Sequence, residues 1–275
     1  MKTSVKGTVA QQLARFVTRL DYRDIPQEVI VRSQLCVLDQ CGVQLIASTL
    51  QWNDLIYRYV RHMGGRPEST IIHHGTKVPM QDAAFVNATF GQGCELDDVL
   101  HLTHPGAASV PTALSVAERE GCSGRDVLAA VVIGYEVMCR LAAAIQPQHG
   151  LRGFQGQGTI GPFAAAAVAG KLLGLNEEKM SHAFALAGSH ASGIAEYTQS
   201  GGEVKRMHSG LGVRSGIQCA ILAEMGLTGP LTVIEGKRGF CRAFAGDFNA
   251  EAITGGLGKH FSIMDSKFKI HPVAG

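Results

Sequence analysis

The sequence predicts an all-α chain. Apolar residues recur at helical spacing along most of its 275 residues, helix start and stop signals punctuate them, and strand signals are sparse. Val9, Leu13, Phe16, Val17 and Leu20 fall at i, i+4, i+7, i+8 and i+11, one apolar stripe. Pro26 sits where a first helical turn tolerates a missing N–H, and a second helix follows to about Ser48. A short helix is expected over 81–90, closed by Gly91, and another over 111–120. Ser123-Gly124-Arg125-Asp126 has capping-box spacing and opens a long apolar helix to about Ile145. Small residues dominate 161–174 and 183–195, as expected where helix backbones pack closely. Asn176 caps a helix over 177–187, and a last helix runs from Lys205 to Met225, stopped by Gly226. Residues 69–73 and 261–270 are the two candidate strands, too few for a sheet. No internal repeat, linker or internal domain boundary is evident.

Composition narrows the function. Apolar residues make up 45% of the chain, and 25 Lys+Arg against 23 Asp+Glu leave a net charge of +2. That excludes a disordered chain and binding to nucleic acid by bulk charge. Seven cysteines, an odd number without a CxxC pair, support neither a metal cluster nor a disulfide framework. They read as small core hydrophobes in a reducing compartment. The start of the chain, Met1-Lys2-Thr3-Ser4, lacks the apolar run of a signal peptide. Charged residues interrupt the most apolar stretches, Glu136 and Arg140 in one and Lys171 in the other. A soluble, cytoplasmic protein with no membrane partner is the expectation.

Four constellations could carry chemistry. The first runs from Glu95 through Asp97, Asp98, His101 and His104 to Gly106, three carboxylates and two imidazoles in one short stretch. It suits metal ligation, acid–base work or helix capping; metal on a helix wants His at i and i+4, whereas these stand at i and i+3. The second, 150–161, is a glycine-rich turn containing Gln155 that feeds a helix, fit for an anion or simply a turn. It has neither nucleotide-loop spacing. In the third, 201–210, Lys205 and Arg206 open a helix against its macrodipole, with His208 one turn on. The last is Lys267-Phe268-Lys269-Ile270-His271-Pro272. Cations, amide donors and His among glycines, without a metal or nucleotide signature, suit a small polycarboxylate. Cations bind its carboxylates while His or Asp moves a proton at the adjacent carbon.

These stretches also resemble a known family. Residues 95–106 (ELDDVLHLTHPG), 123–140 with GYEV, 153–161, 205–210 (KRMHSG), 225–230 and 235–240 are similar, in order, to the MmgE/PrpD family. Its members include 2-methylcitrate dehydratase, cis-aconitate decarboxylase and an iminodisuccinate epimerase. The resemblance implies a large all-helical domain over residues 1–260, with 261–275 starting the crossover to an α/β lid absent from this chain. It also implies a homodimer and a site that needs no cofactor and no metal.

By the resemblance, Glu95 stands at the first carboxylate of the family's DxDDT motif, followed by Asp97 and Asp98, with Val99 replacing its Thr. His104 matches the motif's His one residue early, Gln155 replaces the His of a GFHP turn, and Lys205 matches the lysine with His208 beside it. His271 matches a further basic-site histidine. The expected catalytic residues are therefore His104, Asp97, Lys205 and His208, and Glu95, Asp98, His101, Gln155, Arg206 and His271 bind substrate. The expected reaction is that of a hydro-lyase of the 2-methylcitrate dehydratase kind. An epimerase or decarboxylase of a related polycarboxylate is the alternative, and an inactive truncated paralogue or subunit is another.

Overall fold

The computed structural model describes residues 7–273, so the reading made from Met1–Ser4 lies outside the described residues. The architecture is all-α, as expected: among the described residues the only sheet is two-stranded. α1 (Val9–Arg19) starts at a capping box in which the Thr8 hydroxyl accepts Gln11 N–H and the Gln11 side chain accepts Thr8 N–H. α2 (Gln27–Ala47) and α3 (Gln51–Met63) follow. Sequence reading passed over α3, because only Asn53 and Val60 on it are fully buried. The strand expected over 69–73 shrinks to Ser69–Thr70, paired antiparallel with Lys77–Val78.

α4 (Met80–Gly91) is buried at every position but one, and α5 (Pro105–Glu120) begins six residues before the start expected at Pro111. Pro105 is tolerated in the first turn. Pro111 lies inside the helix, where it cannot donate to the carbonyl of Ala107. That carbonyl instead accepts the Ser209 hydroxyl at 2.9 Å, so a residue distant in sequence completes the turn. α6 (Gly124–Ile145) opens at the expected Ser123 capping box. Its one buried ion pair, Glu136 to Arg140 at 2.5 Å, ties down the chain that returns beneath it. Glu136 accepts Ser262 N–H, and Arg140 donates to the carbonyl of Gly255.

Two short helices, α7 (Gln148–Leu151) and α8 (Gly156–Thr159), lead into α9 (Gly161–Leu172), the centre of the molecule. α9 packs against α5, α6, α10 (Glu177–His190) and α12 (Val204–Glu224). Its small side chains permit this: a Cβ added at Gly216 of α12 would lie 2.5 Å from Ala165 Cβ and from the Pro162 carbonyl. Asn176 caps α10 through Lys179 N–H, as expected. The small-residue stretch 183–195 leaves the helix after His190, and α11 (Tyr197–Ser200) is a single turn.

After α12 come α13 (Phe240–Phe244) and α14 (Ala250–Thr254). The expected strand over 261–270 does not form; a 3-10 turn at Ser262–Met264 leads into one isolated bridge, Lys267 to Val99. Arg32 of α2 donates to the carbonyls of Ile263 and Ser266 and stacks 4.0 Å from the Phe268 ring centre. Those bonds hold the segment against the helical body. The seven cysteines are free, four of them buried.

Candidate active site

The loop between α4 and α5 carries the acidic and imidazole cluster. It is no continuation of a helix: Glu95, His101 and Leu102 have φ of 60°, 49° and 57°. Lys267 and Val99 exchange backbone hydrogen bonds, so the returning C-terminal segment clamps the loop from outside. From inside, Asp98 Oδ1 accepts Gly106 N–H at 2.9 Å in the first turn of α5. His104, at the N-cap position of α5, is then bracketed by Gln157. The Gln157 Oε1 accepts His104 N–H, and its Nε2 donates to the His104 carbonyl, each at 3.0 Å. Gln157 Nε2 also donates to Ser209 Oγ on α12 at 3.3 Å. One buried amide thereby joins the acidic loop, the glycine-rich turn and the helix that carries Lys205.

The imidazole is oriented by its Nδ1. That nitrogen lies 2.9 Å from the Asp98 carbonyl oxygen and 3.0 Å from Asp97 Oδ2. With two acceptors there, Nδ1 carries a proton, and Nε2 is the ring nitrogen left for the cleft. Burial opposes charge on both members of the pair. Attraction from Asp97 outweighs it and raises the His104 pKa above its ordinary value. Asp97, fully buried, is held below the usual carboxylate range by His104 and by Lys269, whose Nζ lies 3.6 Å from its Oδ1. The neighbouring Asp98 behaves oppositely: burial pushes it up to about 6, although Tyr135 and Gly106 hydrogen-bond to it.

His104 opens on a cleft of about 590 Å³, walled also by Glu95, Phe154, Gln155, Tyr197 and Lys205. That volume falls in the range of small-molecule sites. Lys205 Nζ donates to Glu95 Oε2 at 2.6 Å, both side chains 17% exposed. Gln155 Oε1 accepts Gly158 N–H, which caps α8 and leaves the Gln155 amide nitrogen as its free donor. Burial together with the Glu95 charge raises the Tyr197 pKa.

Residues 11–253 match the MmgE/PrpD N-terminal domain. The chain belongs to the MmgE/PrpD family. It is 29% identical to the cis-aconitate decarboxylase-like protein oryM of Aspergillus oryzae, over 98% of this chain and 59% of that protein. It is 27% identical to cis-aconitate decarboxylase of Aspergillus terreus, over 99% of this chain and 59% of the relative. With cis-aconitate decarboxylase of Homo sapiens it shares 29% identity, over 86% of this chain and 50% of the relative. The chain thus spans between half and three fifths of the curated relatives it matches.

Among the residues that sequence and family resemblance singled out, Glu95, His104, Gln155 and Lys205 line the cleft, with Asp97 and Asp98 directly behind His104. Four others stand elsewhere. His101 is exposed on a left-handed turn; without a helix, the i, i+3 spacing does not put it beside His104. Arg206 donates to the Gly93 carbonyl and stacks 4.3 Å from the Trp52 ring centre, so it props the loop and does not line the cleft. His208 is buried behind Tyr197, its ring centre 5.9 Å from the tyrosine's, its Nδ1 unpartnered, and burial lowers its pKa. His271 is exposed; two residues earlier, Lys269 reaches Asp97 and the Glu95 carbonyl because the Val99–Lys267 bridge sets that register.

Sequence reading assigned no role to Lys269, Tyr197, Gln157 or His149. His149 is fully buried, bonded to Thr159 Oγ1 at 2.7 Å, and desolvation lowers its pKa to about 4, so it is a neutral support for the glycine-rich turn. The histidine in HxxxxF at 149–154, beside the glycine-rich turn, was the only signal available for it.

Proposed function

We propose that this chain forms the helical part of a lyase that acts on a small polycarboxylate, with His104 Nε2 as the proton-transfer atom. The fixed imidazole carries this reading. Its Nδ1 is held by Asp97 and the Asp98 carbonyl, and its Nε2 is turned to a cleft whose other walls supply a lysine and an amide donor. Lys205 would take a substrate carboxylate in exchange for Glu95, and Gln155 and Tyr197 would hydrogen-bond the rest.

The same geometry favours decarboxylation of an unsaturated tricarboxylate, the activity named in the relatives, over dehydration. When CO2 leaves a carbon allylic to the double bond, the electron pair shifts the alkene and one proton must arrive at its far carbon. One acid suffices, and a histidine of raised pKa serves as that acid near neutral pH. Dehydration needs a base for the C–H proton and an acid for the leaving hydroxide. Gln155 stands where a second imidazole would be useful and cannot move a proton. Lys205 balances the charge that develops on the carboxylate next to the reacting carbon.

Two measurements test the reading. Proton NMR of cis-aconitate and 2-methylcitrate with the chain in D2O should show one deuteron incorporated per CO2 lost from the former, and no change in the latter. Titration with the unreactive tricarballylate should move the His104 imidazole 15N resonances, and Lys205→Ala should weaken that response. Deuterium exchange without CO2 loss would favour an epimerase. An unmoved His104 resonance at saturating tricarballylate would remove the basis of the assignment.

A further inference from the structure

Tyr135 is a buried polar side chain with no part in the chemistry assigned so far. It belongs to the GYEV stretch of α6 and is 1% exposed. α6 lies close enough to α5 to deliver it because Gly134 faces Ser109 and Val168 with no room for a side chain. Gly106 stands one turn before Ser109, and the same crowding recurs there. A Cβ at Gly106 would lie 2.7 Å from Asp98 Oδ1, 2.7 Å from the Tyr135 hydroxyl and 3.2 Å from Gln40 Oε1 of α2. Polar groups from the loop, from α6 and from α2 thus converge on one bare backbone position.

The Tyr135 hydroxyl has two neighbours of unequal strength, the Asp98 carboxylate and the Cys36 thiol of α2. A carboxylate is the stronger acceptor and a thiol a weak donor. The bonds therefore run from Cys36 S–H to the Tyr135 oxygen and from Tyr135 O–H to Asp98. Asp98 in turn holds His104 at two places: its Oδ1 accepts Gly106 N–H at 2.9 Å, and its carbonyl oxygen lies 2.9 Å from His104 Nδ1. We propose that Tyr135 is a positioning residue of the site. By holding the Asp98 carboxylate against the first turn of α5, it keeps the Asp98 carbonyl on the imidazole whose Nε2 faces the cleft. The assignment rests on His104 being the proton-transfer residue proposed above.

Electrostatics explains why a hydroxyl is needed there. Asp98 faces Asp97 and His104 within its own loop, Tyr135 and Cys139 on α6, and Cys36 on α2, with Lys269 beyond Asp97. Burial and the Asp97 charge both favour a neutral Asp98, whereas the Tyr135 and Gly106 donors and His104 oppose them. A protonated Asp98 is itself a donor. Gln40 Oε1, buried and unpaired beside Gly106, and the Asp97 carboxylate are acceptors that would draw it off the Gly106 N–H. The carbonyl that orients His104 would move with it. A tyrosine that merely filled space could be replaced by phenylalanine with no effect on the titration of Asp98 or His104.

Tyr135→Phe keeps the ring and removes the donor. In the ligand-free chain the 13C carboxyl titration of Asp98 should move above its value of about 6. The 15N midpoint of His104 should fall, because a carboxylate that faces the imidazole has become neutral. Cys36→Ser is the second variant. Its hydroxyl is a stronger donor to the Tyr135 oxygen than the thiol, so both midpoints should move the other way. The pH midpoint of tricarballylate binding should follow His104 in each variant, with the circular dichroism unchanged. Both titrations unmoved in Tyr135→Phe, whatever the loss of thermal stability, would overturn the proposal, and so would shifts of the same sign in the two variants. The titrations are read without ligand, so they report on Tyr135 even where tricarballylate leaves His104 unmoved, the separate result that removes the assignment of His104 itself.

Discussion

Replacing Asp97 with Asn removes one charge and no volume, and it isolates what sets the state of His104. At 3.0 Å and an effective dielectric constant of ~20, the ion pair is worth on the order of 5 kcal/mol before desolvation. Burial of both groups takes back a large part of that. The molecule holds its own control. His149 is buried without an acidic partner, and its pKa drops to about 4. His104, equally enclosed, stands above 6.5 because Asp97 faces it.

Without that charge, His104 should fall below 6.5 and toward the value of His149. The direction follows from the causes: with the Asp97 charge gone, the desolvation that opposes the imidazolium is no longer outweighed. The pH window follows from the two directions. A raised His104 pKa contributes stability below 6.5 that is lost as pH rises through the folded-state value. A lowered Asp97 pKa contributes stability above 3.8 that is lost as pH falls through its folded value. Asp97→Asn should therefore destabilise the fold most between those limits and less in alkaline solution, where only the contact with Lys269 is missing. Urea unfolding of both proteins at mildly acid and alkaline pH, beside a 15N imidazole titration of His104, measures this. A variant whose His104 still titrates above 6.5, or whose destabilisation is the same at both pH values, would refute the reasoning.

Three further outcomes are expected. Asp98 titrates at about 6 instead of 3.8, so the wild-type fold should lose about 3 kcal/mol as pH rises across that interval; Asp98→Asn should abolish that decline in a urea-unfolding series. Gln157→Leu leaves the His104 N–H and carbonyl unpaired, and should cost about 2–4 kcal/mol in chemical unfolding and disperse the His104 ring resonances. Gly158→Ala would press its methyl group onto the Ser192 carbonyl and should destabilise by about 1–3 kcal/mol in thermal melts, with a weaker response of His104 to tricarballylate.

The helical body was legible because its signals are local. The Ser123 capping box, Asn176 and the stop at Gly226 each act within a few residues of themselves. Pro111 misled because its compensation, the Ser209 hydroxyl, lies on another helix. α3 was silent because its surface faces water along most of its length. Within the site, Glu95, His104 and Lys205 were visible as chemistry out of place: acids beside imidazoles, cations at a helix start. The exchange of His271 for Lys269 was not visible, since it depends on the register of one bridge between segments far apart in sequence. Gln157 looked like any polar residue among glycines, and its role exists only once three segments converge on it.

The contact between α9 and α12 reaches further than packing. Gly212 lies against the Gln157 carbonyl and Gly216 against Pro162 and Ala165, with no room for a side chain at either. The separation between Lys205, on the first turn of α12, and His104, whose backbone Gln157 holds, is therefore measured out by atoms that are missing. A methyl group added at either glycine would shift the whole helix and carry the lysine with it. Variation among descendants of this chain would then retune the span between the lysine and the imidazole from positions that do not line the cleft.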